Sequence, residues 1–449
     1  MIDSRAFRTG FAVLLLFTLL AGDAWRYSIS WYGFGAIAIG LTVVSVILLV
    51  RQKRSWSIGT LPIPLLAFLA LATVSLAWSA YPGSSALGLL TTWMTVVTAI
   101  AAAVTFSWAE LLRALGHALR LILGLSIVFE LVVSIFVRQP VLPFWVEYPE
   151  GKLPLLLLWS REVLFDGGKI QGIVGNSSLL AFAALLGVIV FGVQLAASKI
   201  TGRAPASQAI TSHATSNFGV GRVAGWFWML VAVANIALTR SATIYIALAA
   251  LAFVVLAVWL IRKTGRRAAV YAGMLAVVAG AGASILLFGD KLLALVGKSP
   301  DLTGRLDIWD AVIGLAQQRP FAGWGWVSYW TPWAEPFDDL VIRNGVVQLH
   351  AHNAWLDVWL QLGILGLVVF GALVLTALVR SWILATGDSM AQRPQNPQYE
   401  KAQLTAISVL PLLLLVALLV QSIAESRLLV EYGLFLLVVI AVKTKALRG

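Results

Sequence analysis

Two of the chain's four histidines, His350 and His352, stand two residues apart, and Asn353, Trp355 and Asp357 follow at once. A polar stretch precedes them and a strongly apolar run begins at about residue 360. An imidazole at the water-facing end of an apolar helix is suited to take a proton near neutral pH. Asn353 and Asp357 are spaced i, i+4 and share a helix face. An ionisable Asp357 in an apolar segment needs a reason to be there. His352 and Asp357 are five apart, about 140° around an ideal helix, so they pair only if the helix starts after His352. A structural histidine at a membrane interface is the competing reading, and His350 is either a second polar group or a bystander. Gly363 and Gly366 let the helix approach a neighbour closely.

Basic residues accompany them. Arg240 sits in Leu238-Thr239-Arg240-Ser241 between two apolar runs. Its planar fork suits a phosphate or diphosphate, and snorkelling to lipid headgroups is the alternative. Arg305, in Thr303-Gly304-Arg305-Leu306-Asp307, is either a similar clamp or the partner of Asp301 or Asp307. Thr303 is placed to cap a short helix reaching about Arg319. Lys169 precedes Gln171-Gly172-Ile173-Val174-Gly175-Asn176, where the glycines permit close backbone approach and Asn176 can bridge polar groups. Trp145, Trp159, Trp324, Trp326, Trp330, Trp333, Trp355 and Trp359 gather around the same segments. Their flat faces suit sugar rings, and an aromatic belt at headgroup level accounts for them equally simply.

The elements that must position these groups follow from composition. The chain is 60% hydrophobic and 12% charged over 449 residues, with a mean hydropathy of +0.90. A soluble domain carries about twice that charge. The expected fold is all-α and polytopic, with twelve spans near 8–23, 33–50, 60–78, 87–106, 116–137, 174–196, 223–239, 242–261, 268–288, 360–383, 404–422 and 428–443. Residues 1–24 also resemble a secretory signal, but with many spans following, a retained first helix is the preferred reading. An even number of spans puts both termini on one side. That side holds Arg5, Arg8, Arg51, Lys53, Arg54, Arg113, Lys199, Arg203, Arg222, Arg262, Lys263, Arg266, Arg267, Arg380, Arg393, Lys401, Lys443, Lys445 and Arg448, and its acids are Asp3, Glu110, Asp388 and Glu400. This bias predicts cytoplasmic termini and accounts for the net charge of +12 without nucleic acid. Segments 138–173 and 289–351 then face outward. The second is rich in Trp, Pro, Gly and charge and is expected to be a structured cap. Segments 197–222 and 384–403 read as disordered cytoplasmic loops.

The absence of cysteine excludes disulfides and thiolate chemistry. His350-x-His352 with Asp357 is not a strong metal-ligand spacing, and no phosphate-loop or dinucleotide fingerprint appears, so no metal and no cofactor are expected. The spans are nearly charge-free, with Glu130 the main exception. Polar groups gather instead at the outer face, which favours a surface-facing enzyme over a transporter with midplane charges.

His352-Asn353, followed by Gly363-x-x-Gly366, resembles the signature of the O-antigen ligase and polymerase superfamily. So do Thr303-Gly304-Arg305-(x)3-Trp309, Pro320-Phe321-x-Gly323-x-Gly325, Gln171-Gly172-(x)3-Asn176, Leu238-Thr239-x-Ser241 and Glu425-Ser426-x-Leu428-Leu429. The resemblance implies a GT-C-like membrane fold of about twelve helices with a large outer loop. It implies a polyprenyl-diphosphate-linked oligosaccharide donor and a glycan, lipid or protein acceptor, with chain-length or export proteins as further partners. His352 would be the general base. Arg305, with Arg240 and Lys169, would hold the donor diphosphate, supported by Asn353, His350, Asp357, Gln171 and Asn176. Transfer would be metal-independent and inverting, on the external face of a bacterial cytoplasmic membrane. Many relatives carry Arg after the serine at 241 and Arg at 169, where this chain has Arg240 before Ser241 and Lys169. The His-Ala-His-Asn form looks most like exopolysaccharide polymerases; a ligase of finished glycans would use the same residues.

Overall fold

A long apolar stretch in lipid must satisfy its backbone internally, and a helix does so. The computed structural model describes residues 4–52, 56–146, 155–201, 221–295, 305–343, 346–387 and 406–446. Thirteen α-helices lie among them: α1 Arg5–Leu20, α2 Gly22–Arg51, α3 Ile63–Val74, α4 Pro82–Thr105, α5 Trp108–Val132, α6 Ser177–Thr201, α7 Arg222–Thr239, α8 Ala242–Thr264, α9 Arg267–Leu295, α10 Arg305–Ala316, α11 Ala354–Thr386, α12 Leu410–Ser422 and α13 Glu431–Ala446. The strands among the described residues are one two-residue antiparallel pair, β1 Ile342–Arg343 with β2 Val346–Val347. The protein is an all-α polytopic membrane protein. Every helix except α10 coincides with one of the twelve expected spans. Among the described residues, eight are long and apolar enough to cross a membrane by themselves: α2, α4, α5 with its extension to Val137, α6, α7, α8, α9 and α11. The segments Ile63–Trp78 and Ala406–Ser422 are shorter apolar helices. Helices α1 and α13 have 16 residues each, about 24 Å of rise.

Burial sorts these helices. A helix apolar all round belongs inside a bundle. In α13 every residue from Tyr432 to Val442 is buried, whereas α9 has no buried residue in its span. Helix α1 packs beside α5, and Arg8 Nη2 donates to Thr105 O at 2.6 Å. The segments read as disordered loops lie largely outside the described residues, and their described edges continue α6 and α11 as helix.

The outer segment before α11 is built into the bundle. Helix α11 breaks at Gly363, whose φ is +65°. The break exposes carbonyls that Trp324 N and Gly325 N use, donating to Leu360 O at 3.0 Å and Gln361 O at 2.9 Å. Beyond the break, Ile364 N donates to Pro320 O at 2.8 Å. A Cβ at Gly363 would come 2.2 Å from the Phe321 carbonyl. The close approach expected of this glycine is therefore made to loop backbone and not to a neighbouring helix. The loop then drives Trp326 into the core, where its N–H donates to Ser75 Oγ at 2.9 Å and its indole to Thr92 Oγ1 at 3.0 Å. Trp330 stacks on Phe337 beneath the cap. Both tryptophans are fully buried; they anchor the cap, and neither a sugar platform nor a lipid belt describes them.

Candidate active site

The expected helix start is confirmed locally. Asn353 Oδ1 accepts from Trp355 N at 3.0 Å and Leu356 N at 3.2 Å, so α11 begins at Ala354. Satisfying these first-turn N–H groups is the usual role of an N-cap. His352 is left outside the helix in a left-handed conformation, φ +50°, which side chains other than Asn, Asp and His rarely take. Its N–H donates to His350 Nδ1 at 3.0 Å, and the two rings lie 4.0 Å apart. His350 is thereby an integral neighbour.

The group that organises the site is Glu425, in the turn between α12 and α13. Its Oε2 lies 3.1 Å from His352 Nδ1 and 4.0 Å from His350 Nε2. Its Oε1 accepts from Arg305 Nη2 at 3.1 Å. His352 Nε2 faces Gln348 Oε1 at 3.3 Å. Each ring nitrogen of His352 therefore has an oxygen acceptor beside it, and the tautomer decides which nitrogen donates. Burial alone would push the Glu425 carboxyl up, but the His352 hydrogen bond and charge, with His350 and Arg305, outweigh it and hold it at about 2. Burial, reinforced by the adjacent His352, pushes His350 well below the ordinary imidazole value.

Asp357 does not pair with His352. It is fully buried and accepts from Trp330 Nε1 at 2.8 Å, Ala351 N at 3.0 Å and Ser426 Oγ. Ala351 lies between the histidines and Ser426 follows Glu425. Asp357 therefore fixes both sides of the His352–Glu425 contact from behind. Arg305 is the first residue of α10, which ends at Ala316, short of Arg319; Thr303 is outside the described residues. Trp309 Nε1, one turn on, donates to Ala351 O at 3.1 Å and ties α10 to the histidine segment.

Other candidates do different work. Gln171 N and Gly172 N donate to Glu130 Oε1 at 2.9 and 2.7 Å, and Ser160 Oγ to Oε2 at 2.9 Å. Glu130, buried in α5, is a brace for this loop. Gln171 Nε2 donates to Gly175 O at 2.8 Å, and Asn176 Oδ1 accepts from Ser178 N at 2.8 Å, opening α6. Lys169 and Arg240 are both exposed, on segments joined by Ile170 N donating to Leu238 O at 3.4 Å. Neither side chain forms a hydrogen bond or ion pair with another described residue, so contact brings only Arg305 of the three basic candidates onto the histidine cluster.

A second charged chain adjoins the first and was not read from the sequence. The Tyr329 ring lies 5.9 Å from His350, and Arg427 lies 5.5 Å over Tyr329. Arg427 Nη1 donates to Glu431 Oε2 at 2.5 Å, and Glu431 also pairs with Arg26. Acids in the run Leu410–Tyr432 were the available signal, since carboxylates amid apolar residues need partners.

Donor atoms of His350, His352 and Glu425 lie within 4.8 Å of one another, near enough to share one metal ion. The carboxylate that meets the histidines is thus Glu425 and not Asp357, the one considered from spacing. Arg305 on the same carboxylate supplies a competing fixed cation.

The fold and cluster define a polytopic membrane protein with a His–Glu–Arg site at the junction of the segment before α11 and the bundle. Residues 227–371, about a third of the chain, match the O-antigen ligase family. The exopolysaccharide production protein ExoQ of Rhizobium meliloti (strain 1021) is 29% identical to the chain over 91 residues, 20% of this chain and 21% of ExoQ. The matched part is about a fifth of that relative's length. Together the comparisons support an O-antigen ligase and polymerase type for this chain. The family match contains Arg240, Arg305, His350, His352 and Asp357, and stops before Glu425.

Proposed function

We propose that the chain is a membrane glycosyltransferase that moves glycan from a polyprenyl-diphosphate-linked donor to an acceptor hydroxyl on the external face. His352 takes the acceptor proton. The acceptor oxygen forms a bond to the anomeric carbon as the bond to the diphosphate oxygen breaks on the opposite side, inverting the centre. The leaving diphosphate carries the charge away, and Arg305 is the fixed cation that meets it. Lys169 and Arg240, exposed on neighbouring segments, extend this positive surface along the donor. Glu425 holds the ring through Nδ1, leaving Nε2 as the basic nitrogen, and favours the imidazolium that forms.

The observation that carries this reading is the joint hold of Glu425 on His352 and Arg305, a base and a phosphate-binding group on one carboxylate. The family match and the likeness to ExoQ support glycan chemistry. Polymerisation of exopolysaccharide or O-antigen repeat units is the preferred form; transfer of a finished glycan to lipid or protein is the second. Both termini are then cytoplasmic and the chemistry requires no metal.

The test is glycan synthesis by lipid-reconstituted protein given a polyprenyl-diphosphate oligosaccharide, with and without EDTA, beside His352→Ala and Arg305→Ala. A metal-independent ladder, nearly abolished in both variants, is expected. One discrete transfer to an added acceptor assigns the ligase form. Loss of activity in EDTA assigns the His350–His352–Glu425 group to a metal. Full activity in His352→Ala removes the base and makes transport of lipid-linked glycan the next reading.

A further inference from the structure

Midway along α5, between its Trp108 end and Glu130, stands a buried cation that the proposed chemistry does not use. Helix α5 runs from Trp108, near the Lys443 end of α13, toward Glu130 on the side of the active site. Arg113, His117 and Arg120 fall at i, i+4 and i+7 along it, within a stripe about 60° wide. Arg120 is 8% exposed. Its Nη2 donates to Gln194 Oε1 of α6 at 2.7 Å, and its guanidinium lies 5.2 Å from the Phe191 ring. Its Nε and Nη1 are buried with no hydrogen-bond partner. Gln194 is itself fixed, its Nε2 donating to Leu112 O at 3.1 Å. Gly116 leaves the room that Gln194 occupies, since a Cβ there would come 2.4 Å from its amide. The spans are therefore less charge-free than the sequence suggested.

Among the described residues no carboxylate pairs with the Arg120 guanidinium. Both charged residues that act on His117 are cationic, Arg120 and Arg113. Glu110 is engaged with Ser107 and Arg8, and ten residues of helix, about 15 Å, separate its backbone from that of Arg120. A guanidinium held between helices with two free donors is costly unless an anion meets it. Helical side chains lean toward the helix N-terminus, and the bond to Gln194 holds this guanidinium near the level of Gly116. That is about 12 Å from the Trp108 end, a few Å below the headgroup zone of a bilayer and within the distance over which a long basic side chain and a headgroup reach each other. Half-buried Arg113 and His117 line the way to it.

We propose that Arg120, with His117 and Arg113, binds the phosphate of an anionic phospholipid between α5, α6 and α7 on the membrane face opposite the active site. Basic pockets between helices at this level bind such headgroups elsewhere. Nε and Nη1 of Arg120 remain to donate to phosphate oxygens, and the half-exposed members of the stripe let the headgroup enter from the side.

The test is native mass spectrometry of the full chain from micelles containing phosphatidylcholine and phosphatidylglycerol. The wild type should retain one phosphatidylglycerol under activation that strips phosphatidylcholine. Arg120→Gln should weaken that retention by about tenfold or more, the worth of a charge-assisted pair, and Arg113→Gln by a smaller factor. Lys263→Gln, a basic residue at the same end of the bundle on α8, should leave it unchanged. Should Arg120→Gln fail to fold, Arg120→Lys beside Arg113→Gln decides, with the lysine retaining lipid and the glutamine losing it. A second arm adds inorganic phosphate to phosphatidylcholine micelles. Occupancy by phosphate with no preference for phosphatidylglycerol overturns the lipid and assigns the site to a free anion. Equal retention in wild type and Arg120→Gln, or an equal loss in Lys263→Gln, overturns the site itself.

Discussion

Replacing Glu425 by glutamine separates the charge at the centre of the active site from its shape. The amide oxygen can still accept from His352 Nδ1 or Arg305 Nη2, but the negative charge is gone. The carboxyl, held at about 2 against its ordinary 4.5, strongly prefers the ionised form. His352, His350 and Arg305 share that preference. A hydrogen bond to a charged group is worth about 1.5–3 kcal/mol against about 0.5–1.5 for a neutral one, so the change takes about 1–1.5 kcal/mol from the imidazolium, hence a fall of roughly 5- to 15-fold in rate when the base becomes charged in the transition state. The same change makes the neutral ring easier to keep. The acid limb of the rate–pH profile should therefore move to lower pH, by about one unit, while the plateau falls. The assay is kcat/KM against pH for wild type and Glu425→Gln in the reconstituted glycan-transfer reaction. An unchanged plateau, or an acid limb displaced to higher pH, refutes the assignment of Glu425 as the partner of a His352 base.

Two further outcomes follow from neighbouring groups. Asp357→Asn keeps the volume but sets an amide N–H₂ against one of the donors from Ala351 and Trp330; a buried donor left unmet costs about 1–3 kcal/mol, so thermal stability in detergent should drop and the transfer rate should fall by roughly tenfold, with no displacement of the acid limb. Acid should also unfold the protein in two stages, because the unfolded chain binds more protons than the native one at both groups. The contribution of His350, whose imidazole is held well below 6.5, is lost as pH falls below 6.5, and that of Glu425 is present above 4.5 and lost as pH falls toward about 2; melting temperature against pH should decline over both ranges, and His350→Gln should remove the upper stage alone.

What the sequence could reveal was set by local rules. Apolar runs long enough to span lipid must form helices, and each of the twelve does. Asn353 opening α11 needs only the residues that follow it, and that cap places His352 just outside the helix. Arg305 at the head of a short helix was legible in the same way. The partnerships were not. His352 meets Glu425 across 73 residues and Arg305 meets it across 120. The helix does start after His352, the condition for Asp357 to pair with it, yet Asp357 collects donors from three segments instead. The partners of Gln171 and Asn176, which are Glu130, Gly175 and the start of α6, were equally illegible. Arg120 drew no notice until Gln194 of a different helix was seen to hold one of its nitrogens and leave two free. The sequence by itself determined the membrane helices, the outer cap and the histidine at their junction, because hydrophobic length and helix capping depend on near neighbours. Only the tertiary structure decided which carboxylate faces that histidine, because a buried charge takes its partner from whichever segments packing brings within hydrogen-bond reach, and no local periodicity encodes that.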